Sequence, residues 1–176
     1  MDKHFSYALS FLSNDSKGLV SEAAKVLLEN GFNIADSSST LMHGVFSMIF
    51  VVTSNNDFSE SQVQDMFRNS PFVPNVFKFT HEEKEPEGIA YSISVYGADK
   101  PGIVHEITSV LAKYDINISD LQTKITGSKN SKVYIMMLEA SVPENLDENI
   151  WIKALKESAK NIGTDVTIKK IETYEF

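Results

Sequence analysis

The chain's 176 residues are 42% hydrophobic and 23% charged, an ordinary globular composition with room for one medium domain or two small ones. It contains no cysteine, which excludes a disulfide framework, a thiol nucleophile and a cysteine metal site and suits the cytoplasm, and no apolar run reaches the roughly 18 residues of a membrane-spanning helix. A net charge of −8, with 15 lysines and the single arginine Arg68, argues against nucleic-acid recognition, which leans on arginine forks and basic patches.

The first residues, MDKHFSYALSF, lack the basic, apolar and small-residue regions of a signal peptide. Phe5, Tyr7, Leu9 and Phe11 alternate and predict a first strand. Leu19, Ala23, Val26 and Leu27 recur at helical spacing. A second strand is expected from residues 32–41, FNIADSSSTL, and a third over 45–52, VFSMIFVV. In the third, Val45, Ile49 and Val51 fall on one face and Phe46, Met48, Phe50 and Val52 on the other, a pattern usual for strands buried on both sides. Ser59, with Gln62 three residues on, is a capping-box signal for a second helix. FVPNVFKFT, residues 72–80, reads as a fourth strand, and the polar THEEKEPEG that follows as a linker holding Pro86 and Gly88.

The same signals then recur. Ile89, Tyr91, Ile93 and Val95 alternate; Ile103, Ile107, Val110, Leu111 and Tyr114 keep helical spacing. INISDLQTKI, VYIMMLEA and DVTIKKIETY read as strands, and ENIWIKALKESAKN as a helix stopped by Gly163. At an offset of 84 there are 11 identities over positions 7 to 36, among them Tyr7 with Tyr91, Asp15 with Asp99, Gly18 with Gly102, and Asn33, Ile34 and Asp36 with Asn117, Ile118 and Asp120. Four extra residues enter the second copy near TGSKNS, after which Phe46 aligns with Tyr134. This is an internal duplication. The order βαββαβ, twice, predicts an α+β protein of two tandem ferredoxin-like sandwiches, each an antiparallel sheet with both helices on one face. The expected domains are 1–80 and 89–176, joined by a linker over 81–88. Because helices cover only one face of each sheet, the other face is expected to pack against the sister copy or a second chain.

The stretch YGADKPGIVHEI places an acid, a proline and a glycine between a strand and a helix. Proline suits the first helical position, so the helix is expected to start near Pro101, and Gly102 permits close approach by another group. The first-turn amides, about Gly102 to His105, lack intrahelical acceptors and carry partial positive charge, so a small carboxylate can dock there. Asp99 alongside can hold an ammonium. Together these preferences suit an α-amino acid. Two structural readings stay open: Asp99 as a helix cap, and Asn117 as part of the turn into the next strand.

GADKPGIVHEITSVLAKYDINISDLQTK resembles the ACT domain, a small-molecule regulatory module, through an acid two residues before Pro-Gly, an apolar helix and an Asn-Ile pair opening the second strand. The matching residues are Asp99, Pro101, Gly102, Asn117 and Ile118; the first copy keeps Asp15, Gly18, Asn33 and Ile34 but has Lys17 in place of the proline. An unattached ACT pair of this length is similar to the glycine cleavage system transcriptional repressor family. The resemblance implies amino-acid sensing, with ligand held between the first loop of one unit and the start of the second strand of another. It points to Asp99, Lys100, Pro101, Gly102 and Ile103 with Asn117 and Ile118, and in the first copy to Asp15, Gly18, Leu19, Asn33 and Ile34. It further implies a homodimer acting on a protein partner, either a DNA-binding transcription factor or a regulated enzyme, with no direct nucleic acid or membrane contact and no cofactor.

None of His4, His43, His81 and His105 falls in a metal-ligand spacing, and no GxSxG, P-loop or GxGxxG occurs, so no catalytic or metal site is expected. Two alternatives share the expectations of fold: a ligand-free interaction module, and an RNA-binding protein using aromatic residues of the third strand. An acylphosphatase-like enzyme would need an arginine in the first loop, and neither copy has one.

Overall fold

The structure, a computed structural model, describes residues 4–80, 88–128 and 131–171. The expected linker thus falls outside the described residues except for Gly88. The chain divides into two compact units, Met1–Glu83 and Lys84–Phe176. The first contains β1 (Phe5–Asn14), α1 (Leu19–Glu29), β2 (Asn33–Met42), β3 (Val45–Ser54), α2 (Glu60–Met66) and β4 (Asn75–Phe79). The second contains β5 (Ile89–Gly97), α3 (Ile103–Lys113), β6 (Asn117–Ser128), β7 (Ser131–Val142), α4 (Glu148–Asn161) and β8 (Thr164–Lys170). The sheets run β2-β3-β1-β4 and β6-β7-β5-β8, antiparallel at every pairing. This is the doubled α+β sandwich that the repeat predicts.

The duplication extends to irregular detail. The pairing of β2 with β3 shifts between Ile34 and Asp36, and that of β6 with β7 between Ile118 and Asp120, the same bulge 84 residues apart. The four extra residues lengthen one hairpin: β6 and β7 have 12 residues each where β2 and β3 have 10.

Each unit has its own core. Alternation along β1 turns Tyr7, Leu9 and Phe11 inward, β3 adds Met48, Phe50 and Val52, and α1 contributes Leu19, Ala23 and Leu27. Phe11 lies edge-on to Phe50, Phe67 and Phe72, so phenylalanine rings fill much of this core. The second core gathers Ile93, Val95, Met136, Leu138, Ile107 and Leu111 around Trp151, which meets Tyr91 edge-on. On the opposite sheet faces Ile49 and Met137 stay about half exposed, at 50% and 47%.

Three boundaries differ from expectation. The helix of the second repeat begins at Ile103, with Gly102 as N-cap at φ 95°, so Pro101 lies outside it and not at its first position. A residue in the left-handed region cannot belong to a right-handed helix. The first-unit strand expected from residue 72 begins at Asn75, because Pro74 supplies no ladder donor. In the last strand Thr164–Lys170 is regular, and the expected residues 172–174 lie outside those described. Among the described residues no helix is long and apolar enough to cross a membrane.

Candidate functional site

The loop between β5 and α3 is anchored at both ends. Gly97 ends β5, and a Cβ there would lie 2.6 Å from the methyl group of Thr164, so the close passage of β8 requires glycine. At the other end Ile103 is 2% exposed and pins the helix start into the core. Gly102 stands at φ 95° in the left-handed region. No atom of the protein lies within 4 Å of a Cβ placed on it, so the chain's own packing does not require glycine there, whereas the positive φ favours it. Gly18 repeats this at φ 91°, also with open space around it.

Neither Gly18 nor Gly102 can cap with a side chain, and no side-chain cap bond forms at either helix. The capping role open to Asp99 is therefore not realised. The Gly102 carbonyl accepts the first helical bond, from Glu106 N–H at 2.9 Å, while the residues of the first turn of α3 line an open hollow of about 500 Å³. Its walls are Lys100, Gly102, Ile103, Val104, His105 and Tyr134. His105 Nδ1 lies 3.4 Å from Ser109 Oγ, one turn along the helix. Lys100 reaches to the far end of α4: its Nζ would lie 3.3 Å from a Cβ on Gly163, beside the negative end of that helix.

Tyr134, which sequence reasoning aligned with Phe46 but did not assign to the site, is 8% exposed and belongs to the inward face of β7. It pairs with Gly97, the residue from which the loop departs. Burial, together with the charge of Asp99, raises its pKa, against a hydrogen bond from Thr123 that lowers it. The phenol is thus protonated at neutral pH and close enough to Asp99 to feel its charge. A signal was present in the inward alternation of β7, but only the strand register brings the ring to the loop.

Of the residues expected at a site, Lys100, Gly102 and Ile103 share the hollow; Asp99 and Pro101 are exposed in the same loop. Asn117 and Ile118 do not join them. Asn117 pairs with Ser141, which pairs with Ala90, whereas the loop leaves from Gly97 at the other end of β5. Those ends lie about 23 Å apart along the strand. Asn117 is exposed and Ile118 half-buried against the core. In the first unit Asp15 and Gly18 are exposed, Leu19 is buried, and Ile34 is 38% exposed. Asn33 lines a separate hollow of about 1050 Å³ with Ser6, Thr53 and Lys78. The turn role open to the asparagines is filled by other residues. Gly31 and Asp115 take positive φ, while Phe32 and Ile116 donate backbone bonds to Leu27 and Leu111. Neither asparagine side chain hydrogen-bonds among the described residues.

Two ferredoxin-like units with this loop at the head of the first helix define a tandem ACT-like protein, and residues 91–149 match the ACT domain model. The chain belongs to the UPF0237 family. It is 33% identical over 88 residues to a UPF0237 protein of Methanosarcina mazei, covering 49% of this chain and 90% of that one. A UPF0237 protein of Methanococcus maripaludis is 42% identical over 84 residues, 48% of this chain and 90% of the relative. Among solved structures, an unknown protein from Galdieria sulphuraria superposes with TM-score 0.83 at 23% identity, covering 97% of this chain and all of that one. A candidate glycine cleavage system transcriptional repressor superposes with TM-score 0.71 at 13% identity, covering 97% and 99%. At those identities the superpositions establish the fold.

Proposed function

We propose that this chain is a non-catalytic cytoplasmic regulator that binds a small amino acid through its ACT-like units and thereby alters a contact with a protein partner. The observation that carries this reading is the second-unit loop. The residues that carry the uncapped amides at the start of α3 line a hollow and can offer hydrogen bonds to a carboxylate, and Asp99, exposed four residues earlier in the same loop, makes no hydrogen bond among the described residues and is available to an ammonium. Asn117 enters the site from a second copy of the chain. Its separation from the loop within one unit supports this, since one amino acid cannot span that distance. A ligand shared between copies has unequal affinity for different arrangements of them, which a regulatory ligand needs. The likeness in fold to a candidate glycine cleavage system repressor suggests amino-acid metabolism, with glycine among the ligands to try and a DNA-binding transcription factor or a regulated enzyme as partner.

Calorimetric titration of the full chain with each of the twenty amino acids tests the proposal. At least one should release heat, and Asp99→Ala and Asn117→Ala should each weaken that binding about tenfold or more, the worth of a charge-assisted hydrogen bond. Silence from all twenty would leave a ligand-free interaction module.

A further inference from the structure

The face of the first sheet that its helices leave uncovered has a definite relief. Along the central strand β1 the outward side chains Ser6, Ala8 and Ser10 are small, and Ala8 pairs with Phe77 on one side and Val51 on the other. Phe77 is 64% exposed and stacks on Phe79, with ring centres 6.2 Å apart, so the two rings form a ridge along β4 beside the trough over β1. Ile49 and Val51 of β3 make the opposite wall. No residue that β1, β3 or β4 turns to this face is charged. The second unit differs at the same places. Ser92, which the offset of 84 relates to Ala8, pairs with Lys169 and Glu139, so the equivalents of Phe77 and Val51 are opposite charges.

We infer that this face binds a second copy of the chain, first unit to first unit, as a face-to-face pair of sheets. A contact between identical surfaces needs one patch that holds both a knob and the hole to receive it. Here ridge and trough lie side by side on adjacent strands. A two-fold axis parallel to the strands, between β1 and β4, sets the Phe77 ridge of each copy over the Ser6, Ala8 and Ser10 trough of the other, at the roughly 10 Å spacing of packed sheets. The absence of charge fits the same partner, because near a two-fold axis any charge meets its own sign. The size fits as well. Strands of 10, 10, 10 and 5 residues make a sheet plane of about 550 Å². Side-chain relief brings its accessible area towards the roughly 800 Å² per partner of a stable interface. The inference does not rest on the amino-acid reading and needs no ligand.

Sedimentation of the full chain without ligand, at micromolar concentration, tests this. The wild type should run at twice the chain mass. Phe77→Lys, which writes the second unit's residue into the first, should raise the dissociation constant about a hundredfold or more. Met137→Lys, on the outward face of the second sheet, should leave it unchanged. Phe77 and Met137 are exposed and belong to neither core, so both variants should keep the wild-type circular dichroism. The chain contains no cysteine, so a single introduced thiol gives a second readout. Ser10→Cys, in the trough, should react with maleimide more slowly as the concentration rises into the dimer range, whereas its equivalent Ser94→Cys should not. A monomeric wild type overturns the inference, and so does a Phe77→Lys chain that stays dimeric. Loss of the dimer in both Phe77→Lys and Met137→Lys overturns it by making the contact one between unlike faces. Labelling of Ser10→Cys that is independent of concentration across the dimer range overturns it as well.

Discussion

One buried tyrosine occurs at the same place in each unit and is used differently. The Tyr7 hydroxyl donates to the Phe58 carbonyl at 3.1 Å and accepts from the Phe58 amide at 2.8 Å, fastening the segment that leads into α2. Tyr91 instead donates to the carboxylate of Glu148, the first residue of α4. Burial first, and this bond second, push the Tyr91 pKa up to about 12. A phenol whose folded pKa lies above its unfolded value of about 10 contributes stability that is fully present below pH 10 and lost as pH rises to 12. Thermal unfolding followed from pH 9 to 12 should therefore show a falling midpoint in that window, and Tyr91→Phe should flatten the fall. The flattening is partial, because Tyr134 and Lys78, the latter held by its bond to Asp57, are shifted in the same direction. Near neutral pH the same substitution should cost about 1–2 kcal/mol in urea unfolding, since Glu148 is exposed and regains water. An unchanged alkaline profile would detach the bond from stability.

At the scale of elements, α2 has seven residues and α4 fourteen, so the shorter helix depends more on its ends. Ser59 Oγ accepts from the Gln62 amide at 3.2 Å, and the Gln62 side chain accepts from the Ser59 amide at 2.8 Å. Glu60 in addition accepts the Lys78 amide of β4 at 3.0 Å, tying helix to strand. Ser59→Ala should cost about 1 kcal/mol in urea unfolding, and combining it with Gln62→Ala should cost less than the sum of the two, because the bonds are reciprocal. This cap was legible in the sequence because its two partners are three residues apart. So were the alternating strands, the helical stripes and the Gly163 stop, all set by local spacing. The start of α3 was less so: Pro101 favours a first helical position, and only the backbone reveals that Gly102 turns left-handed before the helix begins. Tyr134 was hidden for another reason. Its contribution depends on which residue of β5 faces it, and register is a property of two strands together. The place of Asp99 to Ile103 between a strand and a helix was readable from the residues, whereas the distance separating that loop from Asn117 required the sheet.

For the molecule as a whole, duplication has left two units with different interiors. The first packs phenylalanines against one another; the second packs aliphatic side chains around the chain's single tryptophan. The two hydrophobic clusters contain no residue in common, and each sheet closes its pairings within its own unit. UPF0237 relatives aligned over 90% of their own length match only about half of this chain, so a single unit's length of sequence suffices for a protein in those organisms. Residues 84–176 produced alone should therefore fold. Trp151, fully buried, gives a direct report: the fragment should emit a blue-shifted tryptophan spectrum that changes in one cooperative step on heating, matched by the loss of far-UV circular dichroism. Leu155→Ala, which removes a fully buried neighbour of the same helix face, should lower that midpoint and cost about 2–5 kcal/mol. A fragment with a red-shifted spectrum and no transition would mean that the second unit depends on the rest of the chain for its stability.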